Sequence, residues 1–164
     1  MKISYGKNVY GNEEIVAVVN QLKKTTQMGN SVKKFEKLIS NFFAKKYGLM
    51  VNSGSSAIML AIKVLGLKKG DEVIVPCLNF GTAISSLMHY GITPIFVDID
   101  IETLQIDINK IEKKINKKTK ALMIPNLIGN IPNWKKIFQI GKKHKLKIIE
   151  DSADTLGAKI FGKS

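Results

Sequence analysis

Residues 72–90 read EVIVPCLNFGTAISSLMHY, and this stretch decides the fold. Residues 72–75 have the continuous Val and Ile content of a strand that is buried on both faces of its sheet. From residue 79 to residue 90 the apolar positions take the spacing of an amphipathic helix. A buried strand that leads directly into a helix is the repeating unit of α/β folds with parallel sheets.

The same alternation extends in both directions along the chain. Helices are predicted over 13–24, 31–47 (with Ser31 as its N-cap), 53–65, 79–90, 107–115 (with Asp107 as its cap) and 133–144, and strands over 49–51, 72–75, 95–97, 121–124 and 147–149. This order predicts an α/β protein with a three-layer α/β/α architecture, in which helices cover both faces of a mostly parallel sheet. No linker or repeat interrupts the pattern, and 164 residues suffice for one domain with a core.

The charge balance is strongly basic, with a formal net charge of +13, and all 26 lysine-or-arginine positions are lysine. Lysine can contact phosphates, but base-specific recognition of nucleic acids usually employs the bidentate hydrogen bonds of arginine. The lysines come mostly in pairs along predicted helices, which is typical of solvated outer faces. We therefore expect no specific nucleic-acid partner and only weak, salt-sensitive adsorption to polyanions.

Three features bear on location. No apolar run approaches the roughly 20 residues of a membrane span. Residues 1–7 lack the apolar segment of a signal peptide, and the single cysteine, Cys77, excludes an internal disulfide. These features predict a cytoplasmic protein without a membrane partner, and no metal site is predicted.

Residues 52–57, 76–81 and 150–154 are predicted to meet at the carboxyl edge of the sheet, where open α/β sheets bind ligands. In the first segment, Gly54 permits a tight turn and close backbone approach, while Ser55 and Ser56 supply donors at a helix N-terminus. This pattern suits a phosphate, although a serine-capped helix without a ligand fits equally well. It has neither the glycine-lysine-serine ending of a Walker loop nor the several glycines of a dinucleotide-binding loop.

The second segment carries Phe80 and Cys77. Phe80 could present an aromatic face to a planar heterocycle, but Phe is usually buried, so packing in the core is the first expectation. Cys77 is expected to be a small buried thiol, since neither His89 nor His144 is placed to act as its base. In the loop after the fourth predicted strand, Asn126 is expected to form a turn rather than face a substrate.

The acidic segment 150–154 carries the strongest site candidate. A carboxylate at Asp151, at the end of a buried strand, is costly unless a positive group meets it. A protonated pyridine nitrogen is such a group, and the carboxylate would keep that ring a good electron sink. A helix cap or an ion pair with lysine are the alternatives. Asp154 is expected either to face the same cavity as Asp151 or to lie in the solvated turn. Because side chains alternate along a strand, Glu150 is expected to point to the side opposite Asp151.

Taken in order, these segments resemble the DegT/StrS family of pyridoxal-phosphate-dependent nucleotide-sugar aminotransferases. The matching stretches are 52–57 (NSGSSA), 70–76 (GDEVIVP), Phe80, 94–100 (PIFVDID) and 149–158 (IEDSADTLGA). Each stretch is weak alone, but the ordered series is specific and covers nearly the whole chain. The resemblance implies part of the large domain of a fold-type-I PLP-dependent transferase.

The resemblance also implies roles for individual residues. Ser55 and Ser56 would receive the cofactor phosphate, Phe80 would stack on the pyridine ring, and Asp151 would pair with its nitrogen. Asp154 stands where many members carry glutamine or histidine near the ring hydroxyl. The implied cofactor-binding set is Gly54, Ser55, Ser56, Phe80, Asp151 and Asp154.

By the same resemblance, residues 1–164 would be the N-terminal part of the PLP-binding domain, and the C-terminal small domain would be absent. The family's Schiff-base lysine would lie beyond Ser164, because Lys159 and Lys163 come too soon to match it. The whole protein would be a homodimeric aminotransferase. It would pass an amino group from a donor such as glutamate to a nucleotide-linked keto sugar, a step of cell-surface polysaccharide synthesis.

Two alternatives stay open at this point. Asp154 and the stretch 127–130 (LIGN) also resemble the sugar 3-dehydrases of the same family, which use pyridoxamine 5'-phosphate and carry histidine in place of the lysine. A chain without that lysine could instead be a non-catalytic binding domain. By the resemblance, the residue that separates transaminase from dehydrase would lie beyond Ser164.

Overall fold

A computed structural model describes residues 7–159, so the expectations for residues 1–6 and for Lys163 fall outside the described residues. The helices are α1 (Asn12–Lys24), α2 (Asn30–Phe42), α3 (Gly54–Val64), α4 (Gly81–His89), α5 (Ile108–Ile111) and α6 (Trp134–His144). The strands are β1 (Glu72–Pro76), β2 (Thr93–Val97), β3 (Thr119–Pro125) and β4 (Lys147–Asp151). The chain divides into two compact units between Met50 and Val51.

The first unit contains α1 and α2. Ser31 is not the N-cap of α2: Gly29 takes that place, and the Ser31 hydroxyl donates to Oε1 of Gln21 at 3.1 Å. The helix also ends at Phe42, five residues earlier than predicted. Ala44 adopts a φ of 50°, in the left-handed region through which an α-helix cannot continue.

Residues 49–51 form no strand, and this prediction was wrong. Leu49 is 68% exposed and Met50 is 45% exposed. The Met50 amide donates to the Glu36 carboxylate at 2.8 Å instead of to a neighbouring strand. A strand exists only with a partner to accept its ladder of hydrogen bonds, and three apolar residues do not supply one.

The second unit is a four-stranded parallel sheet in the order β2-β1-β3-β4 with helices on both faces. Alternate residues of β1 pack on opposite sides: Val73 and Val75 join one core cluster with α3 and α4, and Ile74 joins the other with α5 and α6. The two central strands, β1 and β3, are buried on both faces, as parallel strands covered by helices are. The predicted three-layer α/β/α architecture is therefore confirmed.

The helix predicted to begin at Asp107 is confirmed at its start and shortened at its end. The Asp107 carboxylate accepts a hydrogen bond from the Asn109 amide at 3.0 Å, and Ile111 is fully buried. The helix α5 has only four residues and passes into a 3-10 turn over Glu112–Lys114. Among residues 7–159 no helix combines the length and the apolar content needed to cross a membrane.

Candidate functional site

The carboxyl ends of the four strands form one edge of the sheet. From β1 the chain moves outward to β2, whereas β3 and β4 continue on the other side of β1. Such a reversal between neighbouring strands opens a crevice at their carboxyl ends, where α/β sheets bind ligands. Residues 77–80 follow β1 and residues 126–130 follow β3, so these two segments flank the crevice.

Helix α3 directs its N-terminus toward this edge. Its C-terminus lies at the opposite edge, where Nζ of Lys147, the first residue of β4, donates to the carbonyl oxygen of Leu65. Ser53 caps the helix: its Oγ accepts from the Ser56 amide at 3.1 Å and donates to the Ser56 Oγ at 3.1 Å. The segment 52–57 therefore lies at the predicted edge, although it is placed there by α3 and not by a preceding strand.

The first turn of α3 is open to an incoming group. A Cβ built on Gly54 would meet no atom within 4 Å, and Gly54 does not adopt a positive φ. The predicted tight turn thus does not require glycine, and the space beside the Gly54 α-carbon is open. Within the described residues, the amides of Gly54 and Ser55 donate to no acceptor. Free amides at a helix N-terminus favour an anion such as phosphate.

Phe80 is 62% exposed and is the N-cap residue of α4, so the expected packing in the core was wrong. Cys77 is also exposed, which contradicts the prediction of a buried thiol. Both residues follow Pro76, where β1 ends and the sheet no longer covers the chain. An exposed aromatic ring at this position leaves a face available to a planar ligand.

Asn79 lies beside Phe80 and has an unusual hydrogen-bonding state. Its Oδ1 accepts from the Phe80 amide at 2.8 Å, but its buried Nδ2 donates to no acceptor among the described residues. A buried donor without a partner costs roughly 1–3 kcal/mol. Such atoms are rare in folded proteins and call for an explanation, of which a ligand at the site is one.

Asp151 ends β4 and is half-buried. Ile149 packs in the cluster with α3 and α4, whereas Ile148 packs against the cluster on the other face. Because side chains alternate along a strand, Asp151 lies on the α3 and α4 face and Glu150 on the α6 face. The Asp151 Oδ1 accepts from the Ala153 amide at 3.2 Å, and no lysine pairs with the carboxylate in the described residues.

The distance between these groups follows from the sheet order. One strand, β3, separates β1 from β4, and strands lie about 4.8 Å apart, so their ends are about 10 Å apart. Helix α3 contacts both α4 and β4. The start of α3, Phe80 and Asp151 thus lie around one edge of the sheet on the same face.

Asp154 has a structural partner that the sequence did not predict. Its Oδ2 accepts a hydrogen bond from the Ile128 amide at 3.0 Å, and Ile128 adopts a φ of 51°. Asp154 therefore braces the loop that follows β3. Asn126, expected to form a turn, is 4% exposed and accepts a hydrogen bond from Nε1 of Trp134 at 2.8 Å.

Charged groups at the end of β2 pair with one another. The Ile99 amide and Lys110 hold the pKa of Asp98 below its ordinary value, and the Asp107 carboxylate, 3.2 Å from Lys110, raises the pKa of that lysine. A groove of about 720 Å³ lies beside this cluster, between residues 100–109 and 131–136, and contains none of the six predicted cofactor residues. Among residues 7–159, no three His, Cys, Asp or Glu side chains are grouped to hold a metal.

A family model for the DegT/DnrJ/EryC1/StrS aminotransferases matches residues 9–164. The chain belongs to this family. The match includes every segment of the carboxyl edge described above, so the resemblance deduced from the ordered motifs is confirmed.

Several relatives bear the names of enzymes of GDP-linked sugars. The chain is 42% identical over 142 residues to GDP-4-keto-6-deoxy-D-mannose 3-dehydratase of Yersinia pseudotuberculosis, covering 83% of this chain and 36% of that protein. It is 40% identical over 135 residues to GDP-perosamine synthase of Escherichia coli O157:H7, and the match covers 82% of this chain and 37% of that protein. A solved structure, Escherichia coli GDP-4-keto-6-deoxy-D-mannose-3-dehydratase with bound hydrated PLP, superposes on this chain with a TM-score of 0.91. The two are 36% identical in sequence, and the match covers 96% of this chain and 42% of that one. The chain thus spans about two fifths of the length of these relatives.

Sequence reasoning missed Asn126 as a buried residue and Asn79 as a donor without a partner. A weak signal existed for Asn126, since it directly follows the buried apolar residues 121–125. No signal in the sequence marks Asn79, because its state depends on which groups the fold places around it.

Proposed function

We propose that residues 1–164 are the N-terminal part of the cofactor-binding domain of an enzyme that uses pyridoxal 5'-phosphate or pyridoxamine 5'-phosphate. The proposed reaction is transamination of a nucleotide-linked keto sugar, with an amino acid such as glutamate as the donor. The observation that carries this proposal is the meeting of three groups at one edge of the sheet: the open start of α3, the exposed ring of Phe80 and the half-buried Asp151.

The residues at this edge fit the cofactor chemically. The free amides of Gly54 and Ser55, with the Ser55 and Ser56 hydroxyls, would hold a phosphate at the start of α3. Phe80 would cover one face of the ring. One oxygen of Asp151 is held by the Ala153 amide, and the other has no partner in the described residues, so it can accept a proton-bearing nitrogen.

Each of these residues has a distinct task. When bound, the cofactor would supply an electron-withdrawing pyridine ring conjugated to the amino-bearing carbon of the substrate. Asp151 would hold the proton at the ring nitrogen, since a nearby carboxylate favours the charged form of that group. The phosphate contacts and Phe80 would fix the orientation of the ring over the edge of the sheet.

A second candidate is a nucleotide-sugar 3-dehydratase with the same cofactor site. The relative at 42% identity and the solved structure with a TM-score of 0.91 are both 3-dehydratases. A synthase that makes GDP-perosamine is 40% identical, so identity does not separate the two activities. The same cofactor site can serve both, and the residue in the Schiff-base position would separate them.

The test incubates the full-length protein with PLP, glutamate and GDP-4-keto-6-deoxy-D-mannose, followed by mass spectrometry of the sugar. A product in which an amino group replaces the keto oxygen supports the transaminase. A product that has lost its 3-hydroxyl supports the dehydratase. An unchanged sugar together with no PLP binding contradicts both and favours a non-catalytic binding domain.

We further propose that the full-length enzyme is a cytoplasmic homodimer, as the family resemblance implies. Light scattering during size-exclusion chromatography measures the oligomeric state, and fractionation of cells measures the location. A monomer that turns over substrate would contradict the first part of this proposal.

A further inference from the structure

Asn126 joins three elements of the second unit through one buried side chain. It is 4% exposed and directly follows β3. Its Nδ2 lies 3.0 Å from Oε1 of Glu150, 3.0 Å from Oγ of Ser152 and 3.2 Å from Oγ1 of Thr155. All three acceptors belong to the end of β4 and the turn after it. Its own backbone amide donates to the carbonyl oxygen of Asp151 at 2.8 Å.

The opposite end of the same amide fixes its orientation. Oδ1 of Asn126 accepts from Nε1 of Trp134, the first residue of α6, which is 5% exposed. An indole N–H only donates, so the oxygen must face Trp134 and the two N–H bonds must face β4. Trp134 therefore holds the Asn126 side chain in one orientation through Oδ1. In that orientation Nδ2 donates to residues 150–155.

The residues that Asn126 holds are those that set the place of Asp151. In the described sheet β4 pairs with β3, and the turn 152–155 follows its last residue, Asp151. Asp151 Oδ1 is bound by the Ala153 amide, and the Thr155 amide donates to the Ser152 carbonyl at 3.1 Å. The turn 152–155 thus orients the carboxylate, and Asn126 orients the turn.

We propose that Asn126 is a positioning residue that places the Asp151 carboxylate for the cofactor by holding residues 150–155 through its Nδ2. This inference rests on the proposed function, because it takes Asp151 as the partner of the ring nitrogen. A displacement of about 1 Å at a reacting centre can lower a rate about 100-fold. The proposed role of Asn126 is indirect, because its described contacts are with Glu150, Ser152, Thr155, Trp134 and the Asp151 carbonyl.

The test uses the full-length protein and pyridoxamine 5'-phosphate labelled with ¹⁵N in the ring, whose chemical shift reports protonation of the ring nitrogen. Asn126→Asp keeps an oxygen for Trp134 but removes the two N–H donors and adds a charge beside Glu150. Asn130→Ala is the matched control. The side-chain Nδ2 of Asn130 donates to the Thr103 carbonyl oxygen at 3.0 Å, so it holds the same loop after β3 without a hydrogen bond to β4.

We expect Asn126→Asp to weaken pyridoxamine 5'-phosphate binding at least tenfold and to make the ring nitrogen lose its proton at lower pH. Asn130→Ala should leave the chemical shift at each pH as in the wild type. If Asn126→Asp does not fold, the double variant Ser152→Ala/Thr155→Val removes two of the three acceptors and should shift the titration in the same direction.

Two results would overturn the inference. One is a folded Asn126→Asp with the wild-type affinity for pyridoxamine 5'-phosphate and the wild-type titration of the ring nitrogen. The other is a change of affinity and titration in Asn130→Ala as large as that in Asn126→Asp. The failure of the proposed function looks different. In that case the wild-type ring nitrogen would titrate as it does in Asp151→Asn, which means that Asp151 is not its partner.

Discussion

Gly54 and Asp151 show how single residues acquire a role from their surroundings. Gly54 has an ordinary backbone conformation and open space beside its α-carbon, so the fold itself does not demand glycine there. Asp151 has one oxygen bound to the Ala153 amide and the other without a partner in residues 7–159. Folding alone does not explain either feature, and both agree with the cofactor site proposed above.

The first prediction separates folding from binding at Gly54. Gly54→Ala should leave the free energy of unfolding unchanged or raise it by up to about 1 kcal/mol, since alanine favours a helix. The added methyl group should weaken pyridoxamine 5'-phosphate binding at least tenfold, because it occupies the side that a phosphate approaches. Urea unfolding and fluorescence titration measure the two quantities.

Gly66→Ala is the matched control for this prediction, since Gly66 lies just beyond the other end of α3 and has a φ of 65°. It should lose about 1–2 kcal/mol of stability through left-handed strain and keep its affinity for the cofactor. Wild-type binding by Gly54→Ala would show that the phosphate lies elsewhere.

The second prediction concerns Asp151. Asp151→Asn keeps an oxygen for the Ala153 amide and removes the charge, so the fold should be nearly unaffected. Turnover by the full-length enzyme should fall at least about 100-fold, the usual effect of removing one preorganised electrostatic contact. Steady-state kinetics and a thermal unfolding scan measure the two effects. Near-normal turnover would assign the role to another carboxylate.

At the scale of elements, caps and pairing partners decide where helices and strands begin and end. Ser53, Asp107 and Asn133 accept hydrogen bonds from amides of the helices that they precede, and all three starts could be predicted to within a residue. Such caps act over three residues, which a sequence displays directly. The failed strand at residues 49–51 depended on a distant partner, which a sequence does not display.

The third prediction concerns the ion pairs between Glu112, in the 3-10 turn after α5, and the last turn of α6. Hydrogen bonds from Lys143 and His144 hold the pKa of Glu112 below its ordinary value of 4.5. Since the folded-state pKa is the lower one, the pair stabilises the fold above about pH 4.5, and this contribution is lost as pH falls through the folded-state value. Glu112→Gln should therefore lose less stability than the wild type between about pH 6 and about pH 3.

Urea midpoints at several pH values measure this difference. The effect should be small and should shrink in high salt, because the groups are exposed and screened. Identical acid dependence of the two proteins at low salt would show that the hydrogen bonds contribute nothing to stability.

At the scale of the second unit, the topology separates charges that are interspersed along the chain. Twelve lysines lie in the segments that lead into strands at the amino edge, which are residues 63–69, 113–120 and 142–147. The acidic residues next to these segments are Asp71, Glu72 and Glu112. The carboxyl edge carries most of the acidic residues of this unit, which are Asp98, Asp100, Glu102, Asp107, Glu150, Asp151 and Asp154. The basic edge thus lies opposite the candidate site.

The fourth prediction follows from this separation. Replacing Lys113, Lys114, Lys117 and Lys118 with glutamine should lower the salt concentration at which the protein leaves a phosphocellulose column. Replacing Lys23, Lys24, Lys33 and Lys34 removes the same charge from α1 and α2 and should have a smaller effect. Equal shifts would show that net charge alone, and not its clustering, controls the adsorption.

The sequence by itself determined the α/β class, the order of nearly all elements and the identity of the segments at the carboxyl edge. These depend on apolar periodicity and on local caps, which lie within a few residues of one another. Tertiary structure decided which residues at that edge are free. Phe80 and Cys77 are exposed because the sheet ends at Pro76, and Asn126 is buried because β4 and α6 close around it. Exposure and hydrogen-bond partners arise between residues far apart in the chain, such as Asn126 and Thr155, and only the folded chain brings them together.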